Sequence, residues 1–217
     1  MNFIPTNSEV YYGISKGYHE MFHSAIKEMK SIMGDTPSYD MLSHSSEQNN
    51  RYIYFEQIQR QSMMICIVFQ AFAIEAHVNL IAVNLYDEKE FFGTNFEKKS
   101  TIEKIKIIFK DKLNDRFSEH TDIFNLVKKT FALRNGLAHF KSKKIDLLAM
   151  QEDPGLYNPY EFIHDYYDKI DEIVTTYPKF KTLVDGLIGN DIMKNQMKNL
   201  DELLLFNIKE IFRKSFE

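Results

Sequence analysis

Three side chains in "FALRNGLAHF" have types and spacing that suit chemistry on a phosphate: Arg134, Asn135 and His139. An imidazole titrates near neutral pH, so His139 is fit to move a proton. The guanidinium of Arg134 carries a fixed positive charge on a planar fork of donors, matched to negative charge building on phosphate oxygens. Asn135 adds neutral hydrogen bonds that orient either partner. The cluster sits in an otherwise apolar segment, where Arg and His are awkward to bury unless paired or used. On a continuous helix five residues span about 500°, which turns Arg134 and His139 roughly 140° apart. Gly136, directly after "RN", marks a place for a bend or a close backbone approach. Either a bend or a second chain is needed to make the two residues act together.

Glu75 is the next candidate. Ala71, Val78 and Ala82 share its side of a long helix at spacings of four and three, and small neighbours let another helix come close. Buried there, Glu75 needs a cation, and Arg134 is the natural one; such a pair serves equally well as a tie between two helices. Lys128, Lys129, Lys141, Lys143 and Lys144 flank the motif on both sides. They read either as a basic approach for a phosphate backbone or as a solvated charge run.

"HEMFH" places His19 and His23 at i and i+4 on one helical face with Glu20 between them, which meets the zinc-hydrolase pattern H-E-x-x-H letter by letter. A third ligand is required, and no downstream Glu or His stands in a recognisable third-ligand motif. The sequence reading therefore assigns no metal and no cofactor, and keeps a zinc hydrolase on His19, Glu20 and His23 as a minor alternative. His77, without a partner at metal spacing, reads as a helix-surface or interface residue. Cys66, single in the chain and set among apolar residues, reads as a small buried hydrophobe and excludes an internal disulfide.

The elements that must position these residues are helical. Apolar residues recur at spacings of three and four, strand-like alternation is nearly absent, and Gly and Pro fall near proposed boundaries. A first helix is expected from about Ser8 to Met33, with Tyr12, His19, Phe22, Ile26 and Met29 along one side. The Gly34 to Asn50 stretch reads as a loop, and a long second helix as about Arg51 to Tyr86. Ser100 with Glu103 forms a capping box for a helix to about Leu113, and Asp122 is placed to cap the helix that carries the opening motif. Beyond "EDPGLYNPY" a helix is expected from Tyr160 to about Thr176, restarted at Pro178, with a final helix over about Asp191 to Phe216. The expected architecture is all-α, one domain over residues 1–217 with a C-terminal helical extension over about 160–217.

"LRNGLAHFK" resembles the hallmark of the HEPN superfamily: an Arg, a polar residue that is often Asn, and a His four to six residues after the Arg. The resemblance extends to "FQAFAIEAHVNLIA", similar to the Phe-rich helix with Glu and Asn that precedes the motif in many bacterial members, and to the lysine-bearing "STIEKIKIIF" between them. It covers roughly Arg51 to Lys144. It implies an up-and-down helical bundle that dimerises so that two copies of the motif face one cleft. It also implies a metal-independent endoribonuclease of the kind found in toxin–antitoxin and defence systems, with RNA as substrate and an antitoxin or defence-system protein as partner. Arg134, Asn135, His139 and Glu75 are then the catalytic set. Family members that have lost catalysis serve as binding or assembly modules, which is the alternative.

Bulk properties set the outer bounds. With 217 residues and 44% hydrophobic content the chain can bury a substantial core. A net charge of −4 gives no overall basic field, so a nucleic acid needs a local basic site. The 18 Phe fall mostly on helical core stripes, and "YNPYEFIHDYYDKIDE" joins four of the 12 Tyr to acids, which repel a phosphate backbone. Gln70, Glu75, His77 and Asn79 interrupt the longest apolar run, so no membrane association is expected, and the N-terminus lacks the features of a secretory signal. A cytoplasmic location is the expectation.

Overall fold

The structure is a computed structural model that describes residues 6–34, 44–87, 95–138 and 167–189. The protein is all-α: every regular element among the described residues is helical. Helix α1 spans Asn7–Met33, α2 Ser46–Leu85, α3 Thr101–Asp111, α4 Thr121–Ala138, α5 Ile170–Ile173 and α6 Thr176–Ile188. The chain divides into two compact units, residues 1–77 with 121–177 and residues 78–120 with 178–217.

Helix α2 begins five residues before its expected start. The cause is local: Ser45 Oγ accepts from the Gln48 backbone N–H at 3.2 Å, while Gln48 Oε1 accepts from the Ser45 N–H at 3.0 Å. This reciprocal capping box satisfies two N–H groups that the first turn otherwise leaves without partners. Residues 46–50 are therefore helix, not loop. The helix has no single apolar stripe because it is buried on more than one side, through Met63, Cys66, Ile67, Ala71, Ile74 and Val78 among others. One window of it is long and apolar enough to cross a membrane by length and composition, and 50% of that window is buried within the protein.

In the first unit, Phe22 of α1, Met63, Cys66 and Ile67 of α2, Leu133 of α4, and Ile170 and Ile173 of α5 form one core. Each such side chain contributes about 1.5–3 kcal/mol relative to exposure. A polar network crosses the same unit. The Ser15 hydroxyl lies 3.0 Å from the Cys66 carbonyl and 3.1 Å from Gln70 Oε1, and Gln70 Nε2 donates to the Val174 carbonyl at 2.9 Å. Ser15 and Gln70 are fully buried, so these bonds replace the water they lose. His77, expected at the surface or an interface, is instead buried with its ring edge-to-face against Tyr177. Tyr177 follows the turn after α5, a contact that helix periodicity alone does not reveal.

The expected continuous helix up to Thr176 is interrupted. A 3-10 turn at Tyr167–Lys169 leads into α5, and a turn at residues 174–175 separates it from α6. The Thr175 and Thr176 hydroxyls donate at 2.7 Å to the carbonyls of Glu172 and Ile173, taking up acceptors that a continuing helix would use. Pro178 falls within the first turn of α6, where its missing N–H costs nothing, so the helix starts before it. Residues 160–166 and the expected final helix over Asp191 to Phe216 lie outside the described residues.

In the second unit α3 carries the expected capping box, with Glu103 accepting from the Ser100 backbone at 2.9 Å. The Ser100 hydroxyl, and after it this backbone contact, hold the Glu103 carboxyl below the usual range. The helix ends at Asp111, two residues early, where the chain turns through Asn114 in the left-handed region at φ 49°. Ile105, Ile108 and Phe109 are buried, Phe109 packs on Phe117, and Phe117 on Phe180.

Candidate functional site

Helix α4 carries Arg134 and Asn135 near its C-terminal end. Leu126, Val127, Thr130, Phe131 and Leu133 are buried, and this stripe fixes how the helix is rotated. Asn135 and Gly136 are exposed as a result, while Arg134 sits at the edge of the buried face. The helix is α-helical through Gly136 to Ala138. Its guanidinium Nη2 lies 3.7 Å from Glu75 Oε2, with side-chain exposures of 27% and 39%. The pairing anticipated between α2 and α4 is thus present, as a loose ion pair at the protein surface. Exposure of that degree places its net contribution at about 0–1 kcal/mol, so Glu75 orients Arg134 more than it stabilises the fold. The Arg134 guanidinium also lies 5.5 Å from the Phe131 ring centre, a cation–π contact on its own helix. Arg134 Nε is buried without a hydrogen-bond acceptor among the described residues.

Of the flanking lysines, Lys128 is exposed above the Phe124 ring at 5.1 Å. Lys129 donates to Glu172 of α5 at 2.7 Å, so its charge is shared with a carboxylate. His139, Lys141, Lys143 and Lys144 lie outside the described residues.

A second constellation is built between α1 and α5. His19 and His23 stand one turn apart on α1, their rings edge-to-face at 4.6 Å. Phe22, between them in sequence, is buried and supports the His23 ring edge-on at 5.3 Å. From α5, Asp171 Oδ1 comes to 2.6 Å from His19 Nε2 and 2.7 Å from His23 Nε2, while the two Nε2 atoms are 3.2 Å apart. The two imidazole N–H groups donate to this single oxygen, and the bond from His19 most of all holds the Asp171 carboxyl below the usual carboxylate range.

No family model, curated protein or solved structure matches this chain.

The third donor to "HEMFH" is Asp171, which belongs to no recognisable downstream ligand motif. It stands 148 residues beyond His23. The pattern "IDEI" does carry a weak signal: Ile170 and Ile173 are buried, which turns Asp171 and Glu172 outward. Nothing in it tells that Asp171 faces α1 while Glu172 faces Lys129. Glu20 is exposed. His120, which no sequence motif marks, pairs with Asp115 at 2.9 Å in the second unit and lowers that carboxyl's pKa.

Proposed function

We propose that this protein is a metal-independent endoribonuclease of the HEPN type, acting in the cytoplasm as a homodimer and serving as a toxin or defence effector. The observation that carries the reading is the Glu75–Arg134 pair at 3.7 Å, which holds the motif arginine at the protein surface beside exposed Asn135. An arginine so placed retains donors for a phosphate while one end is oriented by a carboxylate. Helix α4 continues as helix through Gly136, which supports a site completed by a second chain rather than by a bend at that glycine.

In this reading the ribose 2′-OH attacks the adjacent phosphorus as its proton passes to an imidazole. The P–O5′ bond breaks, and the leaving 5′ oxygen takes up a proton. The products are a 2′,3′-cyclic phosphate and a 5′-OH. His139 of the two chains handles the protons, Arg134 meets the charge on the non-bridging oxygens, and Asn135 orients the phosphate. Lys128 adds sequence-independent attraction for the backbone.

The test is cleavage of a labelled RNA in the presence of EDTA by the wild type, His139→Ala and Arg134→Ala. Formation of a cyclic phosphate end by the wild type and its loss in both folded variants supports the reading. A binding module leaves every RNA intact while retaining a partner, and a zinc hydrolase loses its activity in EDTA. DNA of the same sequence remains uncut because it lacks the attacking hydroxyl.

A further inference from the structure

The histidine pair on α1 has no part in that chemistry, yet its geometry has a chemical meaning of its own. Three potential donor atoms, His19 Nε2, His23 Nε2 and Asp171 Oδ1, form a triangle with edges of 2.6, 2.7 and 3.2 Å. Ligand atoms held at about 2.0–2.1 Å around one small divalent ion stand roughly 2.9–3.3 Å from one another. For a four-coordinate ion, with ligand atoms roughly 3.3 Å apart, the two edges to Asp171 open by about 0.6–0.7 Å and the edge between the two histidines by about 0.1 Å. Side-chain exposures of 46% at His23 and 66% at Asp171 leave the site open to ions in solution.

We infer that His19, His23 and Asp171 are the protein ligands of a divalent transition-metal site, best suited to Zn²⁺, which ties α5 to α1. Two imidazoles and one carboxylate disfavour Mg²⁺ and Ca²⁺, which take oxygen ligands, and suit zinc or its neighbours. Three protein ligands leave a coordination position for water. On binding, the Nε2 lone pairs turn to the metal, and each ring either moves its proton to Nδ1 or releases it. Asp171 then exchanges two N–H donors for one cation.

The supports around the ligands are in place before any ion arrives. His19 and His23 are brought to one face by helix periodicity, and Phe22 beneath them is anchored in the core. Ile170 and Ile173 are buried on either side of Asp171, and Glu172 is tied to Lys129 of α4. Such a short helix has little stability of its own, so a bond at Asp171 acts on a segment that depends on its contacts. The metal serves as a staple between the first helix and the segment that returns to it.

The test uses the full chain without an affinity tag, stripped with EDTA and dialysed, then titrated with Zn²⁺ by calorimetry and with Co²⁺ by visible absorption. One equivalent per chain is expected, together with a rise in Tm of roughly 5–10 °C at a hundred times Kd. His23→Ala and Asp171→Asn each weaken binding at least about tenfold and remove that rise. Asn at 171 keeps the size and an acceptor oxygen, so circular dichroism distinguishes loss of a ligand from loss of the fold. An independent readout needs no variant: the imidazole nitrogen resonances of His19 and His23 shift together with Zn²⁺ while those of His120 do not. Uptake below one equivalent, binding unchanged in Asp171→Asn, or unmoved His19 and His23 resonances would overturn the assignment.

Discussion

The C-terminal end of α4 and the junction of α1 with α5 present polar clusters of opposite kinds. At α4 the residues are neighbours in sequence, the tertiary partner of Arg134, Glu75, stands off at 3.7 Å, and Asn135 is exposed. At the α1–α5 junction the partners come from opposite ends of the described chain and close to within 2.6–3.2 Å. A short motif announces a site whose geometry is loose. A tight site arises where two buried anchors, Phe22 and the Ile170–Ile173 pair, bring polar side chains together at the edge of the core.

His139→Ala should lower RNA cleavage by about 10²–10⁴-fold, the usual worth of a positioned acid–base group, measured as initial rates under EDTA. Retention of full rate would leave the α4 cluster without a catalytic role.

Beneath the α1–α5 junction lies Cys66, whose thiol burial pushes up from 9.0 to about 11. Two pKa units mean about a hundredfold fewer thiolates at a given pH, so alkylation of the folded protein at pH 8 should be slower than that of the urea-unfolded chain by about that factor or more. The sign for stability follows. The neutral thiol favours the folded state below pH 9, and that contribution is lost as pH rises toward about 11. Equal alkylation rates in the two states would show that this core opens readily.

Gln70→Ala tests the polar network that holds the turn after α5. It leaves the part-buried Val174 carbonyl and the buried Ser15 hydroxyl each short of a partner, and should cost about 1–3 kcal/mol in urea unfolding. Ser45→Ala and Ser100→Ala remove the two capping boxes, each for about 1 kcal/mol, read by the same unfolding curves. Glu75→Gln should have the smallest effect, below about 1 kcal/mol, because both partners of its ion pair are partly exposed. A larger loss would make the α4 cluster as tightly built as the α1–α5 one and erase the contrast.

Much of the helical architecture was legible in the residues themselves, because hydrogen bonding within helices and their caps is local. The 3.6-residue period located α1, α2, α3 and α4, and Ser100 with Glu103 marked the start of α3. Ser45 with Gln48 carried the same signal for α2 in a stretch whose Ser and Asn content reads as loop. The anticipated pairing of Glu75 with Arg134 rested on a charge that needs a countercharge, a rule that holds without coordinates. Tertiary structure alone decided which buried polar groups meet, as with Ser15, Gln70 and Val174, and that His77 faces Tyr177 inside the core. It also decided that an aspartate 148 residues away completes the histidine pair of "HEMFH". The physical reason is that periodicity fixes which face of a helix a residue occupies, whereas the partner of that face is chosen by the packing of every other element against the core.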